Sequence, residues 1–144
     1  MQVEARESVR ALPWSPEYLA AIVDSSDDAI IGKTLDGTII SWNPGAERIY
    51  GYRAEEVIGR PISVLVPPDH SDELPPIFER LRNGKRIDHY QTTRVRKDGQ
   101  RITVSVTISP VRDEQGQIVG ASAVARDITA QQQTIKEAMR LREE

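Results

Sequence analysis

Cysteine is absent from the 144 residues. That excludes disulfides, zinc–thiolate centres, iron–sulfur clusters, thiol catalysis and any chromophore held through a thioether. Aromatic residues are scarce, at 5%. No apolar run approaches the ~20 residues needed to span a bilayer. The first residues, Met1-Gln2-Val3-Glu4-Ala5-Arg6-Glu7, lack the apolar stretch of a signal peptide, so a cytoplasmic location is expected. A large charge excess is also missing: 19 basic residues stand against 22 acidic, a net −3. Nothing in that balance draws the chain to nucleic acid or an anionic membrane. Neither a phosphate loop nor a nucleophile elbow is present, and no metal-ligating pair occurs at ligand spacing. The chain is therefore expected not to be an enzyme. Apolar residues, at 38%, suffice for one modest core in a single domain.

The order of elements is legible from periodicity and turn residues. Residues 1–14 read as a polar helical leader ended by Pro13. Ser15-Pro16 caps a helix with Tyr18, Leu19, Ile22 and Val23 on one stripe. Residues 29–35 and 38–42 are strands joined at Asp36-Gly37, a two-residue turn signal. Asn43-Pro44 starts a short helix that Gly51 ends, and a second short helix runs through Val57 and Ile58 to Gly59. A longer helix is expected from Ser71 to Asn83, with Pro75 and Pro76 in its first turn or kinking it. Strands follow at 87–96, 101–109 and 117–126. Ile102, Val104, Val106 and Ile108 share one face of their strand, Ala121, Ala123 and Ala125 one face of the last, and Pro110 marks a strand end or an edge. After Thr129 the chain turns Ala/Gln/Lys/Glu/Arg-rich, with a thin helical stripe through Ile135, Ala138, Met139 and Leu141. Strand runs joined by hairpins, with helices between them, indicate an antiparallel α+β domain.

Several pieces in order resemble the PAS domain: Asp28-Ala29-Ile30-Ile31, Asp36-Gly37, Ile40-Ser41-Trp42-Asn43, Gly45 to Tyr52, Glu55 to Arg60, and Leu65-Val66-Pro67-Pro68. Arg96-Lys97-Asp98-Gly99, Ile108-Ser109-Pro110-Val111 and Ala125 to Thr129 continue the series. The resemblance covers roughly residues 17–129. It implies a five-stranded antiparallel sheet of order 2-1-5-4-3 with short helices on one face, flanked by amphipathic helices. The parts are a leader at 1–14, a PAS domain at 15–129, and the start of a C-terminal signalling or coiled-coil helix at 130–144. It also implies a sensory and dimerisation module of the two-component kind. Such a module passes ligand or partner binding to a covalently linked effector, such as a histidine kinase, through its C-terminal helix.

The resemblance places a pocket between the sheet and the helices. Ile30, Trp42, Ile49, Tyr50, Val57, Ile58, Leu65, Leu74, Ile77, Phe78, Tyr90, Thr92, Val104, Val106, Ala123 and Ala125 are the candidate lining. Most are aliphatic, so they equally fill a core. No arginine is assigned to the inner face. The cofactor is left unknown. Cysteinyl-flavin and cysteinyl-chromophore chemistry are excluded, and ordinary flavin binding is disfavoured because Ala125 stands where flavin-binding relatives carry glutamine. A haem-binding or small-ligand sensor is the alternative reading. Haem is disfavoured, since the relatives' ligand position falls at Leu74, while His70 lies in a loop or cap and His89 on a strand. Asp127, Ile128 and Thr129 form the junction between the last strand and the output helix. Val9, Leu12, Tyr18, Leu19 and Ile22, with the outer sheet face, are expected to form a parallel homodimer. The stretch 79–101 holds eight basic residues against three acidic ones, read as a solvated face.

Overall fold

The first hairpin turns where its Asp-Gly pair stands. Gly37 has φ +90°, a conformation that suits glycine, and Asp36 accepts hydrogen bonds from the hydroxyls of Thr34 and Thr38. The structure is a computed structural model that describes residues 15–143. The leader at 1–14, with Val9 and Leu12, lies outside the described residues. Strand β1 (Ala29–Lys33) pairs with β2 (Ile39–Trp42) and with β5 (Ile118–Asp127). Strand β4 (Arg101–Arg112) pairs with β5 and with β3 (Ile87–Val95). All pairings are antiparallel, in the order β2-β1-β5-β4-β3, as expected.

Helix α1 (Pro16–Ser25) is capped by the Ser15 hydroxyl, which accepts from the Tyr18 amide at 3.2 Å. The β2–β3 connection carries α2 (Pro44–Tyr50), α3 (Ala54–Val57), 3₁₀ turns at Ile62–Leu65 and Pro68–Glu73, and α4 (Leu74–Arg82). The single helix expected from Ser71 is therefore two elements. Pro75 and Pro76 fall in the first turn of α4, where their missing N–H groups leave no bond unmade. Helix α5 (Thr129–Glu143) follows β5. Pro110 does not end β4: it pairs with Ala121, and the strand runs on to Arg112. Beyond Ile108 no β3 residue pairs with β4, so the proline sits where the strand is an edge, as its missing donor requires.

The core lies between the inner sheet face and the helices. Ile102, Val104, Val106 and Ile108 are buried, as are Ala121, Ala123 and Ala125. Leu65, Val57 and Leu81 close it from the helical side. Each of the valine, leucine and isoleucine side chains contributes about 2 kcal/mol by leaving water, and each alanine methyl less than half of that.

Asn43 ties three elements together. Its Oδ1 accepts from the amides of Ile30 (2.8 Å) and Ala46 (2.9 Å), and its Nδ2 donates to the carbonyls of Val23 (2.9 Å) and Asp28 (3.0 Å). One buried amide thus caps α2 and joins the end of α1 to β1. The same junction needs Gly45, because a Cβ there would lie 2.2 Å from the Asp28 carbonyl oxygen. At the far end of α2, Gly51 at φ +83° ends the helix, and Arg96 Nη1 donates to the Ile49 carbonyl at 2.7 Å.

Candidate functional site

The site begins with the phase of β1. Ala29, Ile31 and Lys33 face inward and are buried. They pair with Ala125, Ala123 and Ala121 of β5. The alanines across the ladder are small, and Ile31 and Lys33 line one cavity together with Ala123 and Ala125. Ile30 is consequently not a pocket residue; it faces outward and is half-buried. Ile31 takes its place. On β3 the same alternation turns Tyr90, Thr92 and Arg94 inward, opposite Val106, Val104 and Ile102. Arg94 is 7% exposed, which corrects the expectation that no arginine occupies the inner face.

Between these strands and the helices lies a cavity of about 30 Å³, room for about two waters. Lys33, Tyr50, Leu65, Leu74, Ile77 and Arg94 line it with the inner residues of β4 and β5, including Val106, Ala123 and Ala125. Of the other expected lining residues, Trp42 and Val104 are buried in the core, Trp42 packing at a tilt against Tyr50 with ring centroids 5.6 Å apart. Ile49 packs at the core's edge. Ile58 is 48% exposed: α3 is a single turn that buries Val57, so its neighbour points to solvent.

Lys33 is 3% exposed. No carboxylate among the described residues pairs with it; its Nζ rests 5.3 Å from the centroid of the Phe78 ring. Burial first, and the Arg94 charge second, push its pKa down from 10.5 to about 8. The Tyr50 hydroxyl is buried as well, and loss of solvent drives its pKa up to about 12, against the opposing pull of Arg94. Arg94 is partly neutralised. Its Nη1 donates to Glu73 Oε1 at 3.0 Å and to the Thr93 carbonyl at 2.8 Å. Thr92 Oγ1 donates to Glu73 Oε2 at 2.7 Å, and His70 Nδ1 lies 2.6 Å from that oxygen. Burial disfavours the Glu73 carboxylate, but the bonds from Thr92, His70 and Arg94 outweigh it and hold the pKa below its ordinary value.

His70 is thus bound to Glu73 rather than free in solvent, and it borders a surface cleft with Tyr90 and Thr92. His89 does not alternate into the pocket. It occupies a bulge of β3 with φ +48°, is exposed, and lies in a cleft between the outer sheet face and α5. Neither histidine reaches the inner cavity, and the cavity volume does not fit a haem or a flavin ring. Among the described residues no cluster of metal-ligating side chains occurs.

At the far end of β5, Asp127 Oδ1 accepts from the Thr129 amide (3.0 Å) and hydroxyl (2.6 Å). Thr129 Oγ1 accepts in turn from the Thr103 amide of β4 at 2.9 Å, and the Ile128 amide donates to the Thr103 carbonyl at 2.9 Å. Ile128 is buried. The junction therefore fastens the start of α5 to β4 as well as to β5, a link that the sequence did not reveal. Much of the basic excess in 79–101 is engaged: Arg94 is buried, Arg101 forms a two-point pair with Asp69, and Lys97 pairs with Glu56 at 2.6 Å. No helix among the described residues is long and apolar enough to cross a membrane.

Comparison with known proteins follows the same fold. A family model described as PAS fold matches residues 17–128. The chain is 38% identical over 117 residues to two-component system protein A of Emericella nidulans, and 29% identical over 113 residues to the signal transduction histidine-protein kinase AtoS of Escherichia coli. Each match covers 78% of this chain, but only 17% and 18% of those proteins. The chain thus spans less than a fifth of the length of these relatives. A solved PAS domain from Colwellia psychrerythraea superposes with TM-score 0.72 at 32% identity, covering 78% of this chain and 95% of the other.

Proposed function

Since the chain belongs to the PAS family, a family of sensory signalling modules, we propose that its inner cavity is the input and that α5 delivers the output to a linked effector, a histidine kinase or similar. The observation that carries this is the Thr129 hydroxyl, which bonds to Asp127 of β5 and to Thr103 of β4 at once. The same two strands line the cavity through Val106, Ile108, Ala123 and Ala125. Ala125 stands two residues before Asp127, and Thr103 three before Val106. A change in strand spacing at the cavity therefore falls directly on the first turn of α5. In this reading the module regulates and does not catalyse. Its boundaries are 15–129 for the sensor and 130–144 for the start of the signalling helix.

Filling the cavity tests the coupling without a ligand. Ala123→Val adds two methyl groups at its floor. Hydrogen exchange of the first amides of α5 is expected to change by at least about fivefold, the low end of ordinary coupling energies. Adding Thr129→Val is expected to abolish most of that response. Unchanged exchange in α5 on filling the cavity contradicts the reading.

We also propose that the chain forms a parallel homodimer through α1. No residue of that helix is buried, and Tyr18, Leu19 and Ile22 are each close to half exposed on one stripe. Light scattering at ~100 µM, within reach of a micromolar interface, is expected to give a dimer, and a monomer for the Leu19→Glu, Ile22→Glu variant. A wild-type monomer at that concentration contradicts it.

A further inference from the structure

We propose that the inner cavity binds a small planar oxyanion, of the carboxylate or nitrate kind, held by Lys33, Arg94 and Tyr50. The proposal rests on the sensory reading of the same cavity and names its ligand class.

The three groups converge on one small space, and each brings donor capacity that no described residue takes up. Lys33 is 3% exposed, lines the cavity, and has only the Phe78 ring beneath its ammonium among the described residues. Arg94 directs Nη1 at Glu73 and the Thr93 carbonyl, and its Nη2 and Nε make no hydrogen bond to any described residue. The Tyr50 hydroxyl, 2% exposed at residue level, makes none either. All three residues line the cavity, so the donors they leave over are available to a guest there; the fully buried side-chain donor without a hydrogen-bond partner among the described residues is Arg96 Nε, outside this site. Glu73 supplies one negative charge against the two cations, and it is already engaged by Arg94, Thr92 and His70. The local balance therefore lacks one negative charge.

Size restricts the ligand. About 30 Å³ admits about two or three heavy atoms without rearrangement, at ~10–15 Å³ for each water-sized position. Formate fits that count, with acetate and nitrate one atom larger. Two oxygens in a plane suit an arginine edge on one side and an ammonium on the other. The remaining wall is aliphatic, from Leu65, Leu74, Ile77 and Ala123, and selects against anything that needs further polar partners.

The test is thermal unfolding of the 144-residue chain at pH 7 in sodium formate, acetate or nitrate. Ionic strength is held constant with gluconate, which is too bulky to enter. Wild type is expected to show a saturable rise in Tm of about 5 °C or more with at least one of the three anions, the size expected from ligand linkage near 100 Kd. Lys33→Met is expected to show none, and Tyr50→Phe a response needing about tenfold more anion, as for one lost hydrogen bond to a charged group. A Tm that does not respond to any of the three anions, or responds equally in wild type and Lys33→Met, overturns the proposal. Hydrogen exchange of α5 in the same samples separates the two readings. Anion-dependent stabilisation with unchanged exchange in α5 upholds the anion site and overturns the coupling.

Discussion

Replacing Lys33 by methionine is expected to make the protein more stable at pH 7. Lowering the lysine from 10.5 to about 8 means that holding it protonated inside the fold costs about 3 kcal/mol. Methionine fills nearly the same volume without a charge. It forfeits the contact of the ammonium with Phe78, worth ~1 kcal/mol. The net gain is about 2 kcal/mol, or about 6 °C in Tm for a domain of this size. The sign of the pH dependence follows from linkage. Below pH 8 the lysine is protonated in both the folded and unfolded wild type, and its penalty is complete. Between about 8 and 10.5 the unfolded chain binds a proton that the folded chain does not, so wild-type stability rises with pH. Above 10.5 both states are neutral there and the penalty is gone. The gap between wild type and variant is therefore widest at neutral pH and closes as pH rises through that window. Arg94 and Tyr50 face the same space and Glu73 pairs with Arg94, but all three remain in both proteins and largely cancel from the difference. Urea unfolding across pH 6.5 to 10.5 checks this. A variant less stable than wild type at pH 7, or a gap that does not narrow, contradicts the account.

Asn43→Ala is expected to act in the opposite direction and more strongly. The side chain makes four hydrogen bonds to backbone groups of α1, β1, the α1–β1 loop and α2, and it is 3% exposed. Removing it leaves two amides and two carbonyls to find other partners in a site closed to water. At ~1 kcal/mol for each net bond, with extra cost for any group left unsatisfied, the loss is about 4 kcal/mol. That is a large fraction of a typical domain's total stability. Asn43→Ser keeps a cap for the Ala46 amide and recovers about 1 kcal/mol. Urea midpoints for the two variants measure the split. Full recovery by serine would show that Asn43 is only a helix cap and that its links to Val23, Asp28 and Ile30 carry little.

The expected elements came through wherever a single physical rule acted without competition. Asp36-Gly37 and the alternation from Ile102 to Ile108 are of that kind, and both match the structure. The strand order followed from the resemblance, not from periodicity. The interior of the site was harder to read because charge and phase gave opposite signals. In Ala29-Ile30-Ile31-Gly32-Lys33, adjacent isoleucines leave the phase open, and a lysine argues for the phase that keeps it in water. The ladder with β5 decides otherwise, setting Lys33 opposite Ala121, and pairing across strands is not visible in one strand's sequence. Arg94 had a usable signal: it shares parity with Tyr90 and Thr92, both assigned inward. Its charge argued against extending the pattern by two residues, and the partner that makes its burial tolerable, Glu73, is 21 positions away. Ile58 shows a smaller version of the same problem, since in a one-turn helix either of two neighbouring residues satisfies the pattern. The Thr103–Thr129 bond spans 26 positions and leaves no local trace.

The most direct test of a cationic, ligand-ready cavity is the titration of Lys33 itself, followed by NMR of its ¹³Cε resonance with and without sodium formate. Lys33 is expected to titrate near pH 8 in the absence of the anion, and its pKa to rise as formate supplies the missing negative charge. A Lys33 that titrates near 10.5 and ignores formate would contradict both its burial without an anionic partner and the role assigned to the cavity.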